Sequence, residues 1–145
     1  FKGTFFTQVM FAEFEKITHE FAEKGTPLNV EVFNQTYEAL FREYNGDVVV
    51  FDEEVKFGWS RIPHFYRPFY VYKYATGFAS AIHLATRILD GDSETLQSYL
   101  NFLRSGSSDY PLELLKKTGV DLTTPEPIEN AMKRFSELVE EFSVL

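Results

Sequence analysis

Residues 62–77 read Ile62-Pro63-His64-Phe65-Tyr66-Arg67-Pro68-Phe69-Tyr70-Val71-Tyr72-Lys73-Tyr74-Ala75-Thr76-Gly77. This stretch holds one of the three histidines and four of the eight tyrosines of a 145-residue chain. Two prolines punctuate its start. Pro63 biases Ile62 towards an extended backbone, and Pro68 is best tolerated in a first helical turn. Together they predict a helix that begins near Tyr66 or Arg67 and runs to about Leu89. His64 then sits at or just before its N-terminus, off the regular helix, where it can aim into a cavity.

On such a helix Tyr66, Tyr70 and Tyr74 are spaced i, i+4, i+8. Each step rises about 6 Å and winds about 40° past a full turn, so the three form one slowly turning stripe. Phe65, Phe69, Tyr72 and Thr76 make the neighbouring stripe, and Tyr72 is expected in the core. A phenol buries its ring and seeks a partner for its hydroxyl. Three hydroxyls and one imidazole in line therefore make a wall rich in hydrogen-bond donors. The same spacing also fits a buried helix whose tyrosines are merely satisfied.

Working outward, the composition is that of a globular domain: 44% hydrophobic and 25% charged residues. Aromatic residues reach 17%, with sixteen Phe, which calls for a deep core or an aromatic-lined cleft. One helical domain over residues 1–145 is expected. The net charge of −8 argues against nucleic acid or an anionic membrane as partner. No apolar run approaches the roughly 20 residues of a membrane span. The absence of cysteine excludes a disulfide scaffold and fits a reducing compartment such as the cytoplasm. The chain starts at Phe1 inside a helical pattern, which reads as a piece of a longer protein.

Periodicity gives an all-α bundle of six or seven helices. Phe5, Phe6, Val9, Met10, Glu13, Phe14, Ile17 and Phe21 recur at helical spacing, with Gly25 and Pro27 as the stop. Asn29 caps a second helix through Phe33, Tyr37, Leu40 and Phe41, which ends at Asn45-Gly46-Asp47. Val48–Phe51 reads as an extended connector, and residues 52–54 as the start of a short helix towards Trp59, expected under the loop of His64. Small residues at 75–81 allow close approach by another helix. Ser93 opens the next helix, with Leu96, Tyr99, Leu100 and Leu103 facing in. Pro111 starts a short helix stopped by Gly119. Thr124 or Glu126 begins the cap of the last, which uses Ile128, Met132, Phe135, Leu138, Val139 and Phe142.

Other polar patterns are weaker. His19-Glu20-Phe21-Ala22-Glu23 is one residue short of the zinc-binding His-Glu-x-x-His, in which two histidines one turn apart hold the metal. Glu23 stands where the second histidine belongs, and a helix surface is the expected place for this run. His83, mid-helix, is expected to be satisfied or on the surface. Arg67 is read as exposed, and Glu137, Glu140 and Glu141 as a solvated face.

The aromatic phrase Ile-Pro-His-Phe-Tyr-x-x-Phe-Tyr-Val-Tyr-x-Tyr-Ala-Thr-Gly resembles the C-terminal half of the oligoendopeptidase F zinc metallopeptidases, in the thimet oligopeptidase family. Met10-Phe11-Ala12-Glu13-Phe14-Glu15 is a second phrase of the same kind, and the two bracket the first half of the chain. The resemblance implies a helical metallopeptidase cutting short peptides in the cytoplasm. Its zinc ligands and glutamate base would lie upstream of Phe1, so no metal ligand is assigned here. The upstream part of the polypeptide is then the main partner, and the piece alone is expected to be inactive and able to self-associate.

The family's histidine and tyrosines reach towards the scissile carbonyl, where attack by zinc-bound water places negative charge on oxygen. That implies catalytic roles for His64, Tyr70 and Tyr74, and substrate binding by Tyr66, His64 and Tyr70. The competing reading is a non-enzymatic helical module that binds a peptide or apolar ligand in an aromatic groove.

Overall fold

The computed structural model describes residues 1–144. It contains six α-helices, and no strand occurs among the described residues: α1 (Thr7–Glu23), α2 (Val30–Asn45), α3 (Tyr72–Leu89), α4 (Ser93–Ser105), α5 (Pro111–Lys116) and α6 (Glu126–Ser143). The chain divides into two compact units, Phe1–Ala75 and Thr76–Leu145. Among the described residues no helix is long and apolar enough to cross a membrane.

In the first unit, a π-helical turn (Lys2–Phe6) leads directly into α1. The expected stop follows: Gly25 has φ 74°, and Thr26 N–H returns to the Phe21 carbonyl at 2.9 Å. Only glycine adopts that backbone without strain, so it closes the helix. Asn29 caps α2 by accepting a hydrogen bond from Val32 N–H at 3.0 Å. The α1 and α2 stripes then meet in a core of Met10, Phe14, Tyr37 and Leu40, joined by Phe33, Trp59, Ile62 and Phe65. Burying each large apolar side chain stabilises the fold by about 1.5–3 kcal/mol. Val48 and Val50 are exposed in the connector, as an unpaired segment requires.

A 3₁₀ helix (Glu53–Arg61) lies against α2. Gly58 makes this possible: a Cβ there would sit 2.6 Å from the buried Tyr37 ring. Trp59 joins the same core and donates its indole N–H to Asn34 Oδ1 at 2.8 Å.

In the second unit, α3 buries Ala79, Ser80, His83 and Leu84. As expected, α4 opens at Ser93. Asp92 is its cap, accepting from Thr95 N–H and Thr95 Oγ1 while it pairs with Arg87 at 2.7 Å. The helix faces differ from the expectation. Leu96 and Leu103 on α4, and Leu138, Val139 and Phe142 on α6, are exposed in this chain rather than turned inward. What α6 buries is Pro127 and Ala131. Its cap position is Pro125, with no side-chain hydrogen bond, so neither Thr124 nor Glu126 serves.

Candidate functional site

The long tyrosine helix does not form as its spacing predicts. Residues Pro63–Tyr66 make one 3₁₀ turn, the chain then reverses, and α3 starts only at Tyr72. Pro68 therefore lies in the reversal and not in a first helical turn. Phe69 explains the break, because its φ of +59° is incompatible with a right-handed helix. It is the one non-glycine residue with positive φ among the described residues. Such a conformation costs roughly 1–3 kcal/mol and persists only where the surroundings hold it.

The surroundings are on α1. Phe69 N–H donates to Glu15 Oε1 at 2.9 Å, and Glu15 itself is buried. One turn along, His19 packs its ring on Phe69 with centroids 4.6 Å apart. His19 Nδ1 lies 2.7 Å from the Glu15 carbonyl, an oxygen that can only accept, so Nδ1 carries a proton. On the other side of Tyr70, Val71 is completely buried.

The reversal still brings His64 together with two of the three tyrosines of the expected stripe. His64 and Tyr70 rings stack at 5.8 Å and 18°. Tyr74, in the first turn of α3, meets both edge-on, at 5.8 Å from His64 and 5.6 Å from Tyr70. Its hydroxyl lies 3.3 Å from His64 Nε2. A hydrogen bond to Tyr70, then desolvation, then the Tyr70 charge push the Tyr74 phenol above its ordinary value. The Tyr74 hydroxyl therefore keeps its proton at neutral pH and remains a donor. Lys73 Nζ lies 5.4 Å from the Tyr70 ring centre, within cation–π range. All three side chains are partly open to solvent, so a ligand atom can reach their polar ends.

Tyr66 is not part of this cluster. It is highly exposed, and it lines a separate cavity of about 310 Å³ whose walls include Phe14, Phe33, Trp59, Ile62 and Phe65. Tyr72 is half exposed and is not in the core. Arg67 is exposed as expected.

Most of the remaining candidates are structural as expected, but His83 is neither on the surface nor fully satisfied. Glu20 pairs with Lys16 and Lys24 on the exposed face of α1. His83 is buried, its Nδ1 2.9 Å from Asn130 Nδ2 and its Nε2 without a hydrogen-bond partner. Glu137 and Glu141 both pair with Arg134. Among the described residues, no group of three or more His, Cys, Asp or Glu is placed to hold a metal ion.

Glu15 is the residue that local sequence reasoning passed over. Its place, one residue after Phe14 and outside the apolar stripe of α1, gave no signal of burial.

The chain matches known proteins over nearly its whole length. It is 48% identical to oligopeptidase PepF of Bacillus subtilis over 145 residues, 100% of this chain and 22% of that protein. It is 43% identical to group B oligopeptidase PepB of Streptococcus agalactiae, covering 100% of this chain and 24% of that protein. The crystal structure of oligoendopeptidase-F from Enterococcus faecium matches with a TM-score of 0.95 at 48% identity, over 99% of this chain and 27% of that one. The chain thus spans about a quarter of the length of these relatives. The pattern of peptidase family M3 runs through residues 2–134, and the chain belongs to that family.

Proposed function

We propose that this chain supplies the substrate wall of a zinc-dependent oligoendopeptidase that cuts short peptides in the cytoplasm. The observation that carries the reading is the convergence of His64, Tyr70 and Tyr74, with Tyr74 Oη 3.3 Å from His64 Nε2. Family membership supplies the reaction class. The relatives named as oligopeptidases supply the substrate class, short peptides.

When a peptide carbonyl carbon becomes tetrahedral, its oxygen gains negative charge. Donors already fixed at that place stabilise the transition state more than the ground state. His64 and the two phenols provide such donors on a framework packed into the α1–α2 core. Tyr74 stays protonated at neutral pH for the reasons above, and Tyr70 is held by its stacking on His64. Among the described residues, no group of three or more His, Cys, Asp or Glu fits a zinc site. In this reading the metal and the base that activates water belong to chain outside residues 1–145. Tyr66, at the exposed end of the 3₁₀ turn, binds the flanking part of the peptide.

The test is made in the full-length peptidase. His64→Ala is expected to lower kcat by about 10²–10³-fold, the usual loss for one oxyanion donor. Zinc content and melting temperature should stay near wild type. Tyr70→Phe and Tyr74→Phe should lower kcat more than they raise KM, since only a hydroxyl is lost. Normal turnover by all three variants would make the cluster a packing feature and end the proposal.

A further inference from the structure

A glutamate, Glu15, is buried on α1 next to the core residue Phe14. A carboxylate is costly in such a place unless it satisfies something. Among the described residues, the one group that reaches the Glu15 carboxylate is Phe69 N–H, 54 positions away in sequence. That amide belongs to the one non-glycine residue held at positive φ. We infer that Glu15, assisted by His19, is a positioning residue for the His64–Tyr70–Tyr74 wall, and that it acts through the Phe69 backbone. This inference rests on the wall reading above and extends it to residues that touch no substrate.

Three links carry it. Tyr70 is the residue after Phe69, so the Phe69 dihedral angles set the direction in which the Tyr70 ring leaves the chain. Tyr70 is fixed on both sides, by the Phe69 amide on Glu15 and by the fully buried Val71. Its ring then stacks at 18° on His64 and meets Tyr74 edge-on, so one wrong dihedral angle undoes both contacts. His19 adds a second grip. Its ring rests on the Phe69 ring, and its protonated Nδ1 is anchored on the carbonyl of Glu15. Without these grips Phe69 returns to the favoured negative φ, and Tyr70 swings away from His64.

The experiment compares Glu15→Leu, Glu15→Gln, His19→Ala and Tyr70→Phe in the full-length peptidase, with thermal unfolding measured on each preparation. Gln keeps a carbonyl oxygen for the Phe69 amide, so Glu15→Gln should retain kcat within a few-fold. Glu15→Leu removes the acceptor and should lower kcat by about 10–100-fold, as misplaced catalytic groups do, with little change in KM. His19 is exposed, so His19→Ala tests the second grip without threatening the fold; a smaller drop in kcat is expected. Adding Glu15→Leu to Tyr70→Phe should cost less than the product of the two single losses, because both act on the same side chain.

Suppose Tyr70→Phe impairs turnover while Glu15→Leu and His19→Ala, both folded, turn over normally. The wall then stands and the positioning role is overturned. Equal damage from Glu15→Gln and Glu15→Leu also overturns it, since the retained acceptor would have been irrelevant. If Glu15→Leu does not fold, the kcat of His19→Ala decides. Normal kcat in both Tyr70→Phe and His64→Ala removes the wall itself, and the positioning role with it.

Discussion

The two compact units are held together differently. Phe1–Ala75 buries Phe5, Met10, Phe14, Tyr37 and Leu40, and packs a further eight hydrophobic side chains against its core. Thr76–Leu145 buries mostly smaller groups, such as Ala79, Val120 and Ala131, and leaves leucines of α4 and α6 in solvent. Its helix junctions depend on polar clasps, of which Asp92 between Arg87 and Thr95 is the fullest. The difference shows what an unusual loop needs. The Phe69 reversal is half exposed, and what holds it comes from α1: the buried Glu15 accepts from Phe69 N–H and the His19 ring rests on the Phe69 ring. A helix packed into a core supplies a buried acceptor that holds a strained backbone, whereas the described residues of the second unit place only glycines at positive φ.

The largest expected effect breaks the first unit and spares the second. Phe14→Ala removes a buried ring that touches Phe33, Tyr37 and Phe65, and should cost about 3–5 kcal/mol in denaturant unfolding. Leu103→Ser, at a position 57% exposed, should change stability by no more than about 0.5 kcal/mol. Equal losses would mean that the α4 face is covered in solution and that the contrast between the units is wrong. Because Phe65 adjoins His64, Phe14→Ala should also loosen the wall, seen as altered tyrosine near-ultraviolet dichroism.

Gly58 sharpens the contrast at a single atom. A methyl group there meets the Tyr37 ring at 2.6–2.9 Å, and that ring is buried and cannot swing aside. Gly58→Ala should therefore destabilise by about 1–3 kcal/mol, the usual cost of overpacking. In the second unit, Gly91→Ala fills open space and pays only for its φ of 91°. Its effect should be smaller in urea unfolding.

Much of the fold was legible because its signals are local. Gly25, Asn29, Gly46, Pro111 and Gly119 each act within one turn of chain, and each marks a helix end or start that the structure shows. The start of α3 was not legible. Two prolines in the right places suggested a helix from Tyr66, but the deciding force is a hydrogen bond from α1, 54 positions away. The grouping of three side chains was more legible than its geometry. His64, Tyr70 and Tyr74 come together, yet across a reversal instead of along one helix face, and Tyr66 is left out for that reason. The inward faces of α4 and α6 were overread, since periodicity says which side is apolar and not what covers it.

The smallest expected effects separate the units by pH. In the first unit Tyr44 donates to Glu13 Oε2 at 2.8 Å, tying α2 to α1. Burial, then that hydrogen bond and the Glu13 charge, push the Tyr44 phenol up from 10.0 to about 12. A group with a raised folded value stabilises fully below its unfolded value and loses that contribution as pH rises to the folded one. The stability gap between wild type and Tyr44→Phe should therefore be flat up to about pH 10 and close between about pH 10 and 12. In the second unit the bonds from Thr95 and Arg87 hold Asp92 down from 3.8 to about 2. A depressed folded value works the other way: its contribution is present above 3.8 and is lost as pH falls through about 2. Asparagine can still cap α4 but does not titrate, so the gap between wild type and Asp92→Asn should hold at neutral pH and shrink between about pH 4 and 2. Unfolding of both pairs across the two windows checks the assignment. An Asp92→Asn gap that is constant in acid, or a Tyr44→Phe gap that is constant in alkali, would show that the clasp in question does not survive in solution.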